Sequence, residues 1–403
     1  MSSETRTRRV GLWLIGARGS IATCVTYGLA GLRAGLVEPI GLITACKPFV
    51  DAGLVEWDEL VVGGHDVCRR DLTRSAGELV KTGILRQDLV SSCSAEAAEF
   101  EARIRPGILD GPDVGFADLD PKSAELGSLK PREQVAAVTR DLEEFSKNEE
   151  LDRVIVVNLA STEVFQRPKE SWQSLAEFEL ALDRSEDQPA SILYAYAALR
   201  AGFPHVNFTP NLGASIPALK ELAIEVGVPH CGNDGKTGET LVKTALAPMF
   251  RARALRVLSW QGYNMLGNRD GAVLADPGHC ESKLANKDKA LRSILDDDDV
   301  HTHVGIDFVP SLEDWKTAWD YVHFEGFLGV KMSLQFTWSG SDSALAAPLI
   351  LDLVRLSNWS AERGESGAMT QTAAFFKSPL GGGTNDFYAQ FEQLMQYAQA
   401  TRE

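Results

Sequence analysis

The first place in this chain where residue type and spacing point to chemistry is Gly16-Ala17-Arg18-Gly19-Ser20-Ile21-Ala22. The apolar run from Val10 to Ile15 before it predicts a buried strand, and Ser20 to Leu32 predicts a helix packed behind that strand. Glycines in such a turn let the backbone approach a pyrophosphate, and the open amides and dipole of a helix start favour an anion. The spacing is G-x-x-G-x-x-A rather than G-x-G-x-x-G, and a tight turn without a ligand has the same local pattern. Arg18 could add positive charge to the phosphates. A ribose-binding acid is expected near the end of the second or third strand. Pro39 to Ala45 is expected to be the second strand, yet no acid follows it directly. Val61-Val62-Gly63-Gly64-His65-Asp66 offers Asp66, which by itself reads as a solvated aspartate in a turn.

The second half holds charged segments spaced along the chain. They are Gly232-Asn233-Asp234-Gly235-Lys236-Thr237-Gly238, ahead of a helix beginning near Glu239; Asn264-Met265-Leu266-Gly267-Asn268-Arg269-Asp270-Gly271; Ser282-Lys283-Leu284-Ala285-Asn286-Lys287; Asp314-Trp315-Lys316; Ser341-Asp342-Ser343-Ala344-Leu345; and Phe376-Lys377-Ser378-Pro379-Leu380. Any one of these lysines alone reads as a solvated surface charge, and Asp342 alone as a helix N-cap. The formal net charge of -16 excludes a nucleic-acid binder, which needs a basic footprint. A phosphorylated metabolite would need positive charge gathered locally. The histidines show no spacing for a zinc site, and His301 and His303 read as surface residues on one strand face.

In order and spacing these segments resemble the myo-inositol-1-phosphate synthase family, with its L-G-N-x-D-G, S-K-x-x-x-K, D-S-x-L-A-x-P-L and lysine-proline segments. Val61 to Asp66 is similar to the family's G-G-W-D, and Asn207-Phe208-Thr209-Pro210-Asn211 to its N-G-S-P-Q-N. The resemblance spans roughly residues 10 to 395. It implies NAD as cofactor, glucose 6-phosphate as substrate and a homotetramer. It implies catalytic roles for Lys283, Lys287, Lys316, Lys377, Asp234, Asn268 and Asp270. It implies cofactor contacts at Gly16, Arg18, Gly19, Ser20, Ile21, Asp66, Ala160, Ser161, Thr162, Asp234 and Asp342, and no metal ligand. The chain departs from the family in its Gly-Ala-Arg-Gly loop, in Glu313-Asp314-Trp315 before Lys316, and in Leu284 after Lys283.

The implied reaction is redox-neutral: oxidation at C5 of the sugar, enolisation at C6, attack of the enolate on the C1 aldehyde, then reduction. Every intermediate develops oxyanion charge, and clustered ammonium groups in a dry cleft answer it. Lys283 is expected to transfer the proton at C5, Lys316 and Lys377 to stabilise the keto and enolate oxygens, and Lys287 to hold phosphate or hydroxyls. Lys283 and Lys287 share one face if their segment is helical. Other readings are an NAD-dependent enzyme on a different phosphorylated sugar, a plain NAD dehydrogenase, and a non-catalytic NAD-binding protein.

The elements that must position these groups follow from periodicity. Strand-like and helix-like patterns alternate in the first half: a helix at Ser94 to Ile104, a long loop at Gly107 to Lys130, a helix from Pro131, a strand at Val154 to Val157, a helix at Ala190 to Gly202, a strand at His205 to Phe208 and a helix at Ser215 to Val226. This alternation implies a doubly wound parallel sheet with helices on both faces. Leu255 to Trp260, Val300 to Val309 and Leu328 to Trp338 read as strands of an antiparallel or mixed sheet, and helices return at Ser343 to Leu356 and Phe387 to Tyr397. The fold class is therefore α/β, Rossmann-like, with an inserted α+β domain. Its expected parts are residues 1–244 for NAD, 245–340 for catalysis and oligomerisation, and 341–403 returning to the first domain. The six cysteines form no C-x-x-C pair and read as reduced thiols of a cytoplasmic protein. No apolar run is long enough to span a membrane.

Overall fold

A computed structural model of the chain describes residues 8–109, 118–267, 291–297 and 299–400. Strands β1 (Val10–Ile15), β2 (Leu60–Asp66), β3 (Ile104–Pro106), β4 (Arg153–Asn158), β5 (His205–Asn207), β6 (Pro229–Cys231) and β11 (Gly367–Ala368) form one parallel sheet in the order β11-β6-β5-β4-β1-β2-β3. β1 and β4 are buried almost throughout, as strands covered on both faces must be. One apolar cluster lies between the sheet and α1 (Ser20–Arg33) with α11 (Asp342–Glu362); a second lies on the other face under α6 (Pro131–Asn148), α8 (Ala190–Arg200) and α9 (Pro217–Glu225). The strand order reverses between β1 and β4, and ligands of such sheets bind outside the strand ends at that switch point.

Between β6 and β11 the chain leaves this sheet. It forms α10 (Gly238–Ala252) and then a second sheet of β7 (Arg256–Leu266), β8 (His301–Phe308), β9 (Trp315–Glu325) and β10 (Lys331–Ser341), ordered β10-β9-β7-β8. β7 and β8 run parallel and the other pairs antiparallel, so the sheet is mixed. Its inner face packs Trp260 and Val322 against Phe250 of α10. α11 then returns to the first sheet, and α12 (Phe387–Ala400) closes the described chain.

Three expectations fail here. Residues 39–45 are not a strand: Ile43–Ala45 is a single 3₁₀ turn whose amides are taken up by the buried Asp352 carboxylate of α11. The second strand is Leu60–Asp66, hidden from pattern reading by its two glycines. A Cβ on Gly64 would sit 2.3 Å from the Leu14 carbonyl oxygen, so the close pairing of β1 and β2 requires glycine there. The stretch 107–130 is not all loop. Asp120 accepts from the Lys122 amide and Pro121 opens the helix α5 (Pro121–Gly127), so the Asp-Pro pair marks a helix start. β9 escaped the sequence reading altogether. Its inner face carries Lys316, Ala318, Asp320 and Val322, and two charges on the buried side erase the period-2 signal.

Candidate active site

The glycine loop leaves β1 at the switch point. Gly16 has φ +85°, and a Cβ there would lie 3.0 Å from the Leu159 carbonyl oxygen and 3.2 Å from the Ala160 amide, so this turn admits only glycine. The Gly16 and Ala17 amides donate to the His65 carbonyl at 2.9 and 3.0 Å. α1 starts with Gly19 as a cap that has no side-chain oxygen, which leaves the amides at Ser20 and Ile21 to an incoming anion. A cradle that excludes a Cβ, opens on an uncapped helix and stands beside an acid ending β2 fits a dinucleotide pyrophosphate.

That acid is Asp66. It is not the solvated turn residue that its local sequence suggested: it ends β2 and is 8% exposed. Its carboxylate accepts from the Arg18 amide at 2.7 Å and the Cys68 amide at 2.8 Å. The Arg18 guanidinium donates to Glu101 at 2.5 and 3.0 Å and to the Cys68 carbonyl at 2.9 Å. Glu101 in turn accepts from the amide of Leu72, at the start of α2 (Leu72–Lys81). Arg18 thus braces the loop from behind. On the other side, Asn158 accepts from the Ala160 amide, Asn211 donates to the Ser161 carbonyl, and Thr162 is buried. This places Ala160, Ser161 and Thr162 along the edge of the cradle.

Four of the charged segments, 232–238, 314–316, 341–345 and 376–380, come together beyond the ends of β5 and β6. Residues 233–236 zip against 375–378: the Asn233 amide donates to the Ser378 carbonyl, the Lys377 amide to the Asp234 carbonyl and the Lys236 amide to the Phe375 carbonyl. Asp234 itself sits at φ +62°, a conformation aspartate tolerates better than most side chains. The pairing sets Lys377 Nζ 2.9 Å from Asp234 Oδ1. Lys316, at the start of β9, lies 3.8 Å from Asp342 Oδ2, and the Thr237 hydroxyl donates to Asp342 Oδ1 at 2.9 Å. Thr237 thereby ties the two lysine–aspartate pairs into one site. Asp342 is not the cap of α11; Ser341 is, accepting from the Ala344 amide at 3.1 Å, and Asp342 is freed to face Lys316. Asn268, Asp270, Lys283 and Lys287 lie outside the described residues.

Sequence reasoning missed Thr237 as the tie and Asp314 as an anchor. Asp314 is 7% exposed and accepts from the Ser341 and Ser343 hydroxyls at 2.7 and 2.9 Å and from the Ser20 hydroxyl. One carboxylate joins the strand that carries Lys316, the helix that carries Asp342 and the first turn after the glycine loop. Burial pushes this carboxyl above its ordinary range, opposed by the three hydroxyls. Both residues stood inside segments already singled out, so their motif neighbourhood was the available signal. His301 and His303 are exposed, and among the described residues no group of three or more His, Cys, Asp or Glu is placed to hold a metal.

A doubly wound sheet with a glycine cradle at its switch point, and a second sheet that brings Lys316 to the site, defines an NAD-binding Rossmann-type protein with an inserted domain. The profile of the myo-inositol-1-phosphate synthase family matches residues 10–402. Inositol-3-phosphate synthase 1 of Bacteroides thetaiotaomicron is 32% identical over 398 residues, covering 93% of this chain and 90% of that protein. Inositol-3-phosphate synthase of Brassica napus is 27% identical over 393 residues, covering 89% and 76%. The crystal structure of inositol-3-phosphate synthase from Caenorhabditis elegans superposes with a TM-score of 0.87 at 22% identity, covering 98% of this chain and 86% of that one. A myo-inositol-1-phosphate synthase-related protein from Thermotoga maritima gives 0.75 at 23%, covering 97% and 99%. The chain belongs to the myo-inositol-1-phosphate synthase family.

Proposed function

We propose that the chain catalyses the NAD-dependent cyclisation of glucose 6-phosphate to inositol phosphate. The observation that carries this reading is the convergence of Lys377–Asp234 and Lys316–Asp342, joined through Thr237, beside the helix that opens from the glycine cradle. NAD, when bound, would supply reversible two-electron redox chemistry. Gly16, Gly19, Ser20 and Ile21 would hold its pyrophosphate, with Arg18 bracing their loop; Asp66, Ala160, Ser161 and Thr162 would flank it, and Asp234 and Asp342 would stand towards the nicotinamide. Lys316 and Lys377, each set beside a carboxylate, stabilise the C5 ketone and the enolate oxygen as charge develops there. Lys283 moves the proton at the C5 oxygen, Lys287 holds phosphate or sugar hydroxyls, and Asp270, with Asp234, orients the lysines or the nicotinamide end, with Asn268 in the same segment. The fixed charges are laid down by strands and helix starts, so they cost little reorganisation as the reaction proceeds.

The test is incubation of a panel of sugar phosphates with catalytic NAD, read by NMR and mass spectrometry of the products. Inositol phosphate from glucose 6-phosphate without net NADH supports the reading. Steady NADH accumulation, or turnover of a different sugar phosphate alone, overturns it.

The same reading takes the protein to be cytoplasmic and a homotetramer that pairs through the outer face of the second sheet. What supports that face is its aromatic row: Tyr263 and Trp319 stack at 5.9 Å and Trp319 reaches Tyr321 at 6.2 Å, with Tyr263 and Trp319 still 39% and 37% exposed. Light scattering of the wild type and of Trp319→Glu checks it, with dissociation of the variant as the expected result. Among the described residues no helix is long and apolar enough to cross a membrane.

A further inference from the structure

Lys236 is a buried lysine to which the reaction as described assigns no task. It lies between Asp234 and Thr237 in the loop that carries both, yet its side chain turns inward and the residue is 3% exposed. Nζ donates to Gln390 Oε1 of α12 at 2.5 Å, and the Phe387 ring centre lies 5.8 Å away. Gln390 is itself fixed, because its Nε2 donates to the Thr384 carbonyl at 2.7 Å; its oxygen must therefore face the amine. The charged groups that bear on the amine are Asp386, just before α12, and Lys377 across the paired segments. Burial pushes the Lys236 amine down to about 7, Lys377 adds to the depression and Asp386 opposes it. An amide in place of a counter-ion is a costly setting for an ammonium, and an apolar side chain of similar length would be more stable there.

We propose that Lys236 is a positioning residue of the cyclisation site, an amine kept behind the Asp234–Lys377 pair that takes up a proton when an anionic sugar phosphate occupies that pair. The proposal rests on the reading that this site receives a sugar phosphate. In the empty site the Lys377 ammonium disfavours a second positive charge next to it. A phosphate dianion and a developing oxyanion reverse the local field, so the proton is drawn from solvent on binding and released with product. The site then matches its charge to its occupant without carrying an unpaired cation when empty.

The test compares wild type with Lys236→Met and Gln390→Glu. Calorimetry of glucose 6-phosphate binding to the NAD-loaded enzyme at pH 8, run in two buffers of different ionisation enthalpy, reads the protons taken up. Wild type is expected to take up a larger fraction of a proton than Lys236→Met, and the variant to bind about twofold more weakly, the linkage at pH 8 of an amine raised by about one pKa unit from about 7. Gln390→Glu supplies a carboxylate, so Lys236 is charged beforehand and the extra uptake disappears although the lysine remains. Thermal melts give the second readout. Because folding depresses this amine, the stability it takes away is greatest at low pH and vanishes as pH rises towards the lysine's ordinary 10.5. Lys236→Met should therefore melt above wild type at pH 8, with the gap closing towards pH 10. A lysine with only a structural task would lower the melting temperature on replacement and leave proton uptake unchanged, and either result overturns the proposal. If glucose 6-phosphate does not bind wild type at all, the substrate reading fails, while the melts still judge the amine.

Discussion

Replacing Lys243 by methionine should loosen the joint between α10 and the second sheet while leaving the candidate catalytic side chains themselves unchanged. Lys243 lies two turns into α10 and is nearly buried, with Nζ 2.5 Å from Glu239 of the same helix and 3.2 Å from Asp320 of β9. Asp320 also accepts from the Trp260 indole at 2.8 Å. Two carboxylates therefore share one ammonium where α10 crosses the second sheet. Taking away one member of a buried ionic cluster costs about 3–5 kcal/mol, since the remaining charge is left without compensation. Against a typical stability of about 5–15 kcal/mol that is about a fifth or more of the total. The sign with pH follows from the carboxyls. Burial and Glu239 already hold Asp320 above its ordinary range, and Lys243 opposes them. Without the lysine both acids bind protons more readily in the fold, so the loss is full near pH 8 and shrinks as pH falls towards 5. Denaturant unfolding of wild type, Lys243→Met and the double variant Lys243→Met/Glu239→Gln at both pH values measures it. The double variant should recover part of the loss. A cost below about 1 kcal/mol, or one equal at pH 8 and pH 5, would refute the assignment of this cluster as the joint between α10 and the sheet.

Lys377→Met and Lys316→Met should each lower kcat by about 10²–10³ with a smaller change in KM, the loss expected when one oxyanion-stabilising charge is removed, and steady-state kinetics with catalytic NAD checks it. Asp352→Ala should cost about 2–4 kcal/mol, because Ile43 and Thr44 lose the acceptor for two amides and a hydroxyl; hydrogen exchange should rise first across residues 39–59. His205 and His230 face each other on β5 and β6 with no hydrogen-bond partner for any ring nitrogen among the described residues, and burial pushes them down to about 3 and about 4. The unfolded chain titrates both near 6.5, so stability is full above that value and falls as pH drops towards 4, by about 2 kcal/mol per histidine at pH 5. Unfolding curves at pH 8 and 5 read the slope, and a flat response would sink it.

Much of the fold can be read without coordinates because its signals are local. Val10 to Ile15 and Val154 to Val157 are apolar on both faces, as central parallel strands require, and helices such as 131–148 carry their stripe at the helical period. Gly16 and Gly19 are legible because the turn after β1 constrains backbone shape, which residue type records directly. The failures share one cause. Residues 39–45 are apolar enough for a strand but are held as a turn by Asp352, more than 300 positions away in sequence. β9 has a buried face bearing Lys316 and Asp320, where function overrides the apolar pattern.

What the chain by itself determined is the inventory: a parallel sheet, a glycine turn at its first strand, and lysines and acids set in recurring segments. Which charge meets which was decided only by tertiary structure. Lys377 finds Asp234 across 143 positions, and Ser341 takes the cap of α11 so that Asp342 is left for Lys316. The physical reason is range. A turn or a helix start is set by neighbours a few residues apart, whereas an ion pair between distant segments forms only after strands and helices have fixed where each backbone runs.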